Sequence, residues 1–432
     1  MVALLVACFA AAGASAQDPN GPDPTQYCVG DGGPLGMATD AEHTVLVGDP
    51  KLPAGVRESR VDVDGVSTRV EQSGPPGASE AVVFLHGSPD SSRDWDDLVA
   101  ANGKFTRTVA FDFPGYGKSD KVAPQVETTD GAAAYIQGVL SRLGIKRALL
   151  VMHDFGGIWG LTWAVQHKQS LIGAVLIDSG VLIDYVPHPL ALVFSTPVAG
   201  ELEMASTTRE SWRANFAVNS PRGFPAGFVD RLYDDYDRAS RCAILRYYRS
   251  SAQNFMTRGP DQAAALRPLN LPALVIWGQQ DQYIPVEHAE KQKQAFPSAR
   301  VEIIGDSGHW PHIDNAGRVR SLVVPFLRPR LSASNPPRAH AGARRVRVRV
   351  KVAGLLPAYR VQATLGGSSS EAATVSGSGT LTIALRRPLR AGRHRIAVSA
   401  FGLPTRHVVL RVAARARPKP TPPLRSAPSF TG

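Results

Sequence analysis

Residues 151–157 read VMHDFGG, and the fold turns on Asp154 at their centre. The apolar run ALLVMHD (148–154) has the character of a buried strand. Gly156 and Gly157 then permit a sharp turn, and IWGLTWAVQH (158–167) reads as a helix. A strand, a tight bend and a helix form a nucleophile elbow. The bend lifts its central side chain above the sheet, and the helix N-terminus faces whatever charge develops there. Met152 stands where elbows usually carry a small residue and is expected to shift the turn.

Outward from the elbow the same rhythm recurs. AVVFLHG (81–87), TVAFDFPG (108–115), LIGAVLIDSG (171–180), PALVIWGQQD (272–281) and VEIIGDSGH (301–309) are apolar runs closed by Gly, Asp or His. Continuous apolar strands are expected where both faces of a parallel sheet are covered. Amphipathic stretches at 132–144 and 286–296 supply helices between them, so the pattern predicts a doubly wound α/β sheet, preceded by a hairpin in SRVDVDGVSTRVEQ (59–72). About ninety residues between Gly180 and Pro272 hold no buried strand, read as helical and are rich in aromatic residues. They are expected to form an inserted cap over the strand ends, about 181–265.

The flanks differ from this body. The net charge is +11, but Arg328–Gly432 holds twenty Lys and Arg against one acid, Glu371. That tail carries +19 and leaves −8 on the preceding residues. After a linker (329–343), RRVRVRVKV alternates Val with Arg or Lys, and further strand-like runs predict a basic Ig-like β-sandwich over 344–415, followed by a Pro-rich disordered tail (416–432). A basic surface suits an anionic cell-envelope polymer, or is a solvated arginine-rich face; no nucleic-acid partner is expected. At the other end, an apolar stretch and Ala14-Ser15-Ala16 read as a signal peptide (1–16), with an irregular lead-in over 17–57. Leu5-Val6-Ala7-Cys8 offers an alternative, a lipid anchor at Cys8. Either reading places the chain outside the cytoplasm or in the envelope. Cys28 and Cys242 then remain, as one disulfide or as two buried thiols.

Three candidate catalytic residues each close an apolar run: Asp154, Asp281 in GQQDQYIP and His309 in GDSGHWPH. Their order is nucleophile, acid, histidine. Asp178 in LIDSG is an alternative acid. Backbone N–H groups of Phe155 and of Ser88, after His86-Gly87, are the expected oxyanion donors. GYGKSD lacks the first glycine of a phosphate loop, because Asp112 stands there. No cofactor and no metal site is implied.

The motifs HGSPDSSRDW (86–95), FDFPGYGKSD (111–120), HDFGG (153–157), WGQQDQYIP (277–285) and GHWPH (308–312) resemble the α/β-hydrolase superfamily across 58–328, most closely its branch with an aspartate nucleophile. That branch implies epoxide hydrolases and haloalkane dehalogenases. A serine that attacked a saturated carbon would be trapped as an ether, whereas an aspartate forms an ester that water can cleave. Phe155 and Ser88 lack the side-chain donors that dehalogenases use for halide. LRYYRSSAQN (245–254) resembles the epoxide-hydrolase segment that supplies a cap tyrosine, on Tyr248, with Tyr185 or His188 as candidates for a second donor. The sequence therefore leads to an expected secreted epoxide hydrolase acting on a small apolar substrate. A haloalkane dehalogenase and an envelope-binding protein are the alternatives.

Overall fold

β1 (Arg57–Val63) and β2 (Val66–Ser73) pair antiparallel across Asp64 (φ 53°) and Gly65 (φ 84°), the two left-handed residues that a tight hairpin turn needs. The structure is a computed structural model that describes Cys28 and residues 45–414, apart from 122, 252, 253, 337, 356 and 357. The expected signal peptide, most of the lead-in, and the tail over 416–432 lie outside the described residues.

Strands and helices then alternate: β3 (Glu80–Leu85), α1 (Asp96–Gly103), β4 (Thr108–Phe111), α2 (Thr129–Arg142), β5 (Arg147–His153), α3 (Phe155–Gln166) and β6 (Leu171–Ile177). The cap interval holds α4 (Pro189–Ser195), α5 (Ala199–Ser206), α6 (Arg209–Val218), α7 (Phe228–Asp234), α8 (Arg238–Ser251) and α9 (Asn254–Leu266). The sheet resumes with β7 (Ala273–Gly278), α10 (His288–Lys291) and β8 (Arg300–Ile304), and α11 (Pro311–Asp314) and α12 (Ala316–Leu327) follow. The order across the sheet is β1-β2-β4-β3-β5-β6-β7-β8. β4 runs antiparallel to β2, and every neighbour from β4 to β8 is parallel.

β4, β6 and β7 are buried at every position, which is why they read as unbroken apolar runs. β8 departs from that expectation. It is the sheet edge, and of its five residues only Ile304 is buried. The helix expected over 286–296 is likewise shorter. α10 is a single turn that tightens into a 3₁₀ turn over Gln292–Gln294, a common way for a helix to end. Gln292 turns inward there, and its amide bonds the backbone of Val181 in both directions. Cys28 and Cys242 form a disulfide, Cα–Cα 5.4 Å, which fastens the lead-in to α8.

A second compact unit starts at Pro329. This unit is all β. β9 (Arg330–Ala333), β11 (Arg345–Ala353) and β15 (Ser378–Ala384) make one sheet, in the order β15-β11-β9. β10 (Ala339–His340), β12 (Ala358–Leu365), β13 (Ser368–Ser369), β14 (Ala373–Ser376), β16 (Gly392–Ala400) and β17 (Arg406–Ala413) make the other. Val346, Val348, Val350 and Val352 are buried from one sheet, and Val361, Ile396, Val398 and Leu410 from the other. Residues 329–343 are not the plain linker expected. β9 pairs with β11, placing buried Leu331 opposite Val352, and β10 pairs with β17.

Candidate active site

β5 ends at His153 and α3 begins at Phe155, so Asp154 alone makes the bend. Its φ of 47° lies in the left-handed region, a strained setting for a residue with a Cβ. Two close approaches make the elbow fit. A Cβ on Gly87 would sit 2.5 Å from the Asp154 Cβ, so only glycine lets the β3 loop come this near. A Cβ on Gly160 would sit 2.5 Å from the Met152 sulfur. The oversized Met152 is therefore accommodated by glycine one helical turn into α3, and the elbow keeps its bend.

Three strand-end loops converge here. Asp154 Oδ1 accepts the Ser88 N–H at 2.9 Å, and Oδ2 lies 3.5 Å from His309 Nε2. His309 Nδ1 is 2.8 Å from Asp281 Oδ2, while Asp281 Oδ1 accepts the N–H groups of Tyr283 and Ile284 at 2.8 and 3.0 Å. Burial opposes charge on His309, but Asp281 and Asp154 outweigh it and hold the imidazole well above its ordinary range. Burial likewise opposes charge on Asp154. The hydrogen bond and charge of His309, the charge of His153 and the Ser88 N–H nevertheless keep it below the usual carboxylate range.

Asp178, the alternative acid, is not His309's partner. It is fully buried, accepts the Gly278 N–H at 2.9 Å, and has ligand atoms within 4.8 Å of Asp281 and His309. Burial and the Asp281 charge push it well above the usual carboxylate range. Phe155 is the first residue of α3, and its ring meets Tyr248 edge-on at 4.8 Å.

The triad opens onto a cavity of about 560 Å³, counted with its open mouth, which the cap roofs. Leu190, Phe194, Trp212, Phe216, Tyr236 and Ile244 give it an apolar wall, and no Lys or Arg is among its described lining residues. Tyr248 lines it beside Asp154; burial and the Asp154 charge raise its phenol, which therefore keeps its hydrogen. His188 also lines it. Its Nδ1 accepts the Ala191 N–H at 3.2 Å and burial lowers it to about 4, so the ring is neutral with its hydrogen on Nε2. Tyr185 is not in the wall; its hydroxyl donates to the Tyr283 carbonyl at 3.2 Å.

The sequence did not single out the layer beneath. His153 Nδ1 is 2.8 Å from Asp90 Oδ2, its Nε2 is 2.8 Å from the His309 carbonyl, and Trp310 Nε1 donates to Asp90 Oδ1 at 2.9 Å. This network ties the loops after β3, β5 and β8 together. Its only signal in the chain is adjacency: His153 and Trp310 each neighbour a triad member.

The α/β hydrolase family matches residues 82–322, and the chain belongs to it. It is 28% identical over 278 residues to a 2-hydroxy-6-oxononadienedioate/2-hydroxy-6-oxononatrienedioate hydrolase of Burkholderia vietnamiensis, an alignment that covers 61% of this chain and 93% of that protein. It is 26% identical over 265 residues to a 2-hydroxy-6-oxo-6-phenylhexa-2,4-dienoate hydrolase of Comamonas testosteroni (59% and 90% covered). Among solved structures, the Cif epoxide hydrolase from Acinetobacter nosocomialis superposes with a TM-score of 0.55 at 19% identity (64% and 91% covered), a likeness of fold. These findings establish a hydrolase and overturn the expected epoxide or haloalkane assignment, because the curated relatives are named for hydrolysing oxo-dienoates. The motifs behind that expectation belong to the frame that holds a triad, which one fold reuses for many reactions.

Proposed function

We propose that the chain hydrolyses a small, mainly apolar carbonyl compound through a covalent acyl intermediate on Asp154. One observation carries this reading: the elbow carboxylate occupies its own oxyanion position, with Oδ1 on the Ser88 N–H and Oδ2 facing His309. Donors so placed stabilise an oxyanion on Asp154 itself, which forms when water attacks its Cγ.

The sequence of steps follows. Asp154 Oδ2 bonds the carbonyl carbon, and the bond beside that carbonyl breaks. The leaving atom keeps the electron pair and takes a proton from the Tyr248 hydroxyl. The resulting anhydride carries no charge on Asp154, one of the two groups that held the His309 proton, so that proton passes by way of solvent to the Tyr248 phenolate and leaves His309 neutral. His309 then accepts a proton from water, with Asp281 orienting the ring. Hydroxide adds to Cγ, the product leaves as a carboxylate with the bridging oxygen, the new Asp154 carboxyl gives its proton to solvent, and His309 keeps the proton it took from water. The wall favours an uncharged, phenyl-sized substrate over a dicarboxylate, since no cation lines it. The Cys28–Cys242 disulfide supports an oxidising compartment outside the cytoplasm. Among the described residues no helix is long and apolar enough to cross a membrane.

A single turnover in oxygen-labelled water tests the mechanism, with neutral phenyl esters and 2-hydroxy-6-oxo-6-phenylhexa-2,4-dienoate as probes. The label should enter the Asp154 peptide and leave the first product unlabelled, and His309→Ala should accumulate the acyl adduct. Label in the first product alone would mean that water attacks the substrate directly, and the covalent reading would fall.

A further inference from the structure

Along β11 the burial alternates without a break: Val346, Val348, Val350 and Val352 inward, Arg345, Arg347, Arg349 and Lys351 exposed. Alternate residues of a strand repeat at about 6.8 Å, so four cations stand in a straight row. Across the sheet, Thr382, Thr380 and Ser378 on β15 sit opposite Arg347, Arg349 and Lys351, and Ser332 on β9 sits opposite Lys351. These hydroxyl residues are exposed on the same face. The three strands, RLSA, RVRVRVKVA and SGTLTIA, contain no acid, and Glu371 is the one acid after Arg328. Like charges in such a row repel one another, and nothing on the face offsets them.

We propose that the outer face of the β9–β11–β15 sheet is a docking surface for a linear phosphodiester polymer that carries no bases. The repeat of the row is close to the reach between successive phosphates on an extended chain of short alditol units. Arg forks match phosphate oxygens, and flanking hydroxyls add neutral donors. The outward positions hold no aromatic ring, so the face has no platform on which bases would stack. They hold no large apolar side chain either, so nothing there would enter a bilayer. Ser332, Ser334, Arg349, Lys351, Ser378 and Thr380 line a depression on this face, which gives one phosphate a seat.

The test uses the full chain and fluorescently labelled poly(glycerol phosphate), with affinity followed against salt. Each lost phosphate contact lowers the slope of log affinity against log salt by about 0.7. Arg347→Gln/Arg349→Gln should therefore lower it by about 1.4, and Gln at all four row positions by about 3. The control, Arg393→Gln/Arg411→Gln, removes two exposed cations that pair across strands of the other sheet and should leave the slope near wild type. Retained thermal melting of the double variant guards against misfolding. Equal losses in ladder and control variants, binding indifferent to salt, or no binding would overturn the proposal. So would tighter binding to a single-stranded oligonucleotide or to phosphatidylglycerol vesicles than to the polymer. None of these outcomes bears on the Asp154 chemistry.

Discussion

Asp281→Asn isolates what the orienting acid does. Asp281 makes three hydrogen bonds, two from Oδ1 to the Tyr283 and Ile284 N–H groups and one from Oδ2 to His309. An asparagine carbonyl keeps the first two, so the loop after β7 should hold its shape and unfolding should change little. The third bond inverts. The amide presents N–H to His309 Nδ1, which must then accept, and the ring hydrogen moves to Nε2, the atom needed as base. Loss of the correct tautomer costs a triad about 10⁴ in kcat. Here Asp178 softens the loss. Burial and the Asp281 charge hold its carboxyl well above the usual range. Without that charge its carboxyl ionises more readily, within 4.8 Å of the triad atoms. The expected kcat of Asp281→Asn is thus down by only about 10², recovering as pH rises, and Asp178→Asn/Asp281→Asn restores the full loss of about 10⁴. Steady-state kcat across pH, with quenched-flow measurement of the acyl adduct, reads both. A double variant no slower than Asp281→Asn would refute the role given to Asp178.

Three further expectations follow from single contacts. Gly160→Ala forces a methyl against the Met152 sulfur and Leu85 Cδ1 and should cost about 1–3 kcal/mol in urea unfolding. Tyr248→Phe removes the pocket's proton donor and should lower kcat by about 10²-fold while the melting temperature stays put; an unchanged kcat would assign the tyrosine to packing alone. Cys28→Ser opens a loop of 214 residues, for which chain entropy allows a loss of up to about 5 kcal/mol, and reductant should then no longer shift the unfolding midpoint as it does in wild type.

The sheet was readable because burial on both faces of β4, β6 and β7 forces an apolar residue at every step. Asp154, Asp281 and His309 stood out because each closes an apolar run of the sequence, and the structure brings their side chains together. β8 misled because an edge strand with an apolar composition reads like a central one. β9 and β10 were missed because strands of four and two residues, with Leu331 as the one large apolar side chain, carry too little period to register. The layer under the triad joins residues 63, 156 and 220 positions apart, and no local pattern encodes such pairings. Substrate choice was least legible of all. The wall is set by cap helices whose aromatic residues meet only after folding, so motifs of the frame were read as if they named a reaction.

The bonds from His153 to Asp90 and to the His309 carbonyl, and from Trp310 to Asp90, all lie below the cap. They tie the loops that carry Ser88, Asp154 and His309 into one mechanical piece, and cap residues are joined to it: Phe216 stacks on Trp310 at 4.7 Å, Arg231 bonds the Ser91 hydroxyl, and the Tyr283 hydroxyl meets Asn215 and Asn219. The cap is therefore a structural member as well as a roof: a foreign cap that lacks partners for Trp310, Tyr283 and Ser91 should loosen the loops beneath it along with changing the guest.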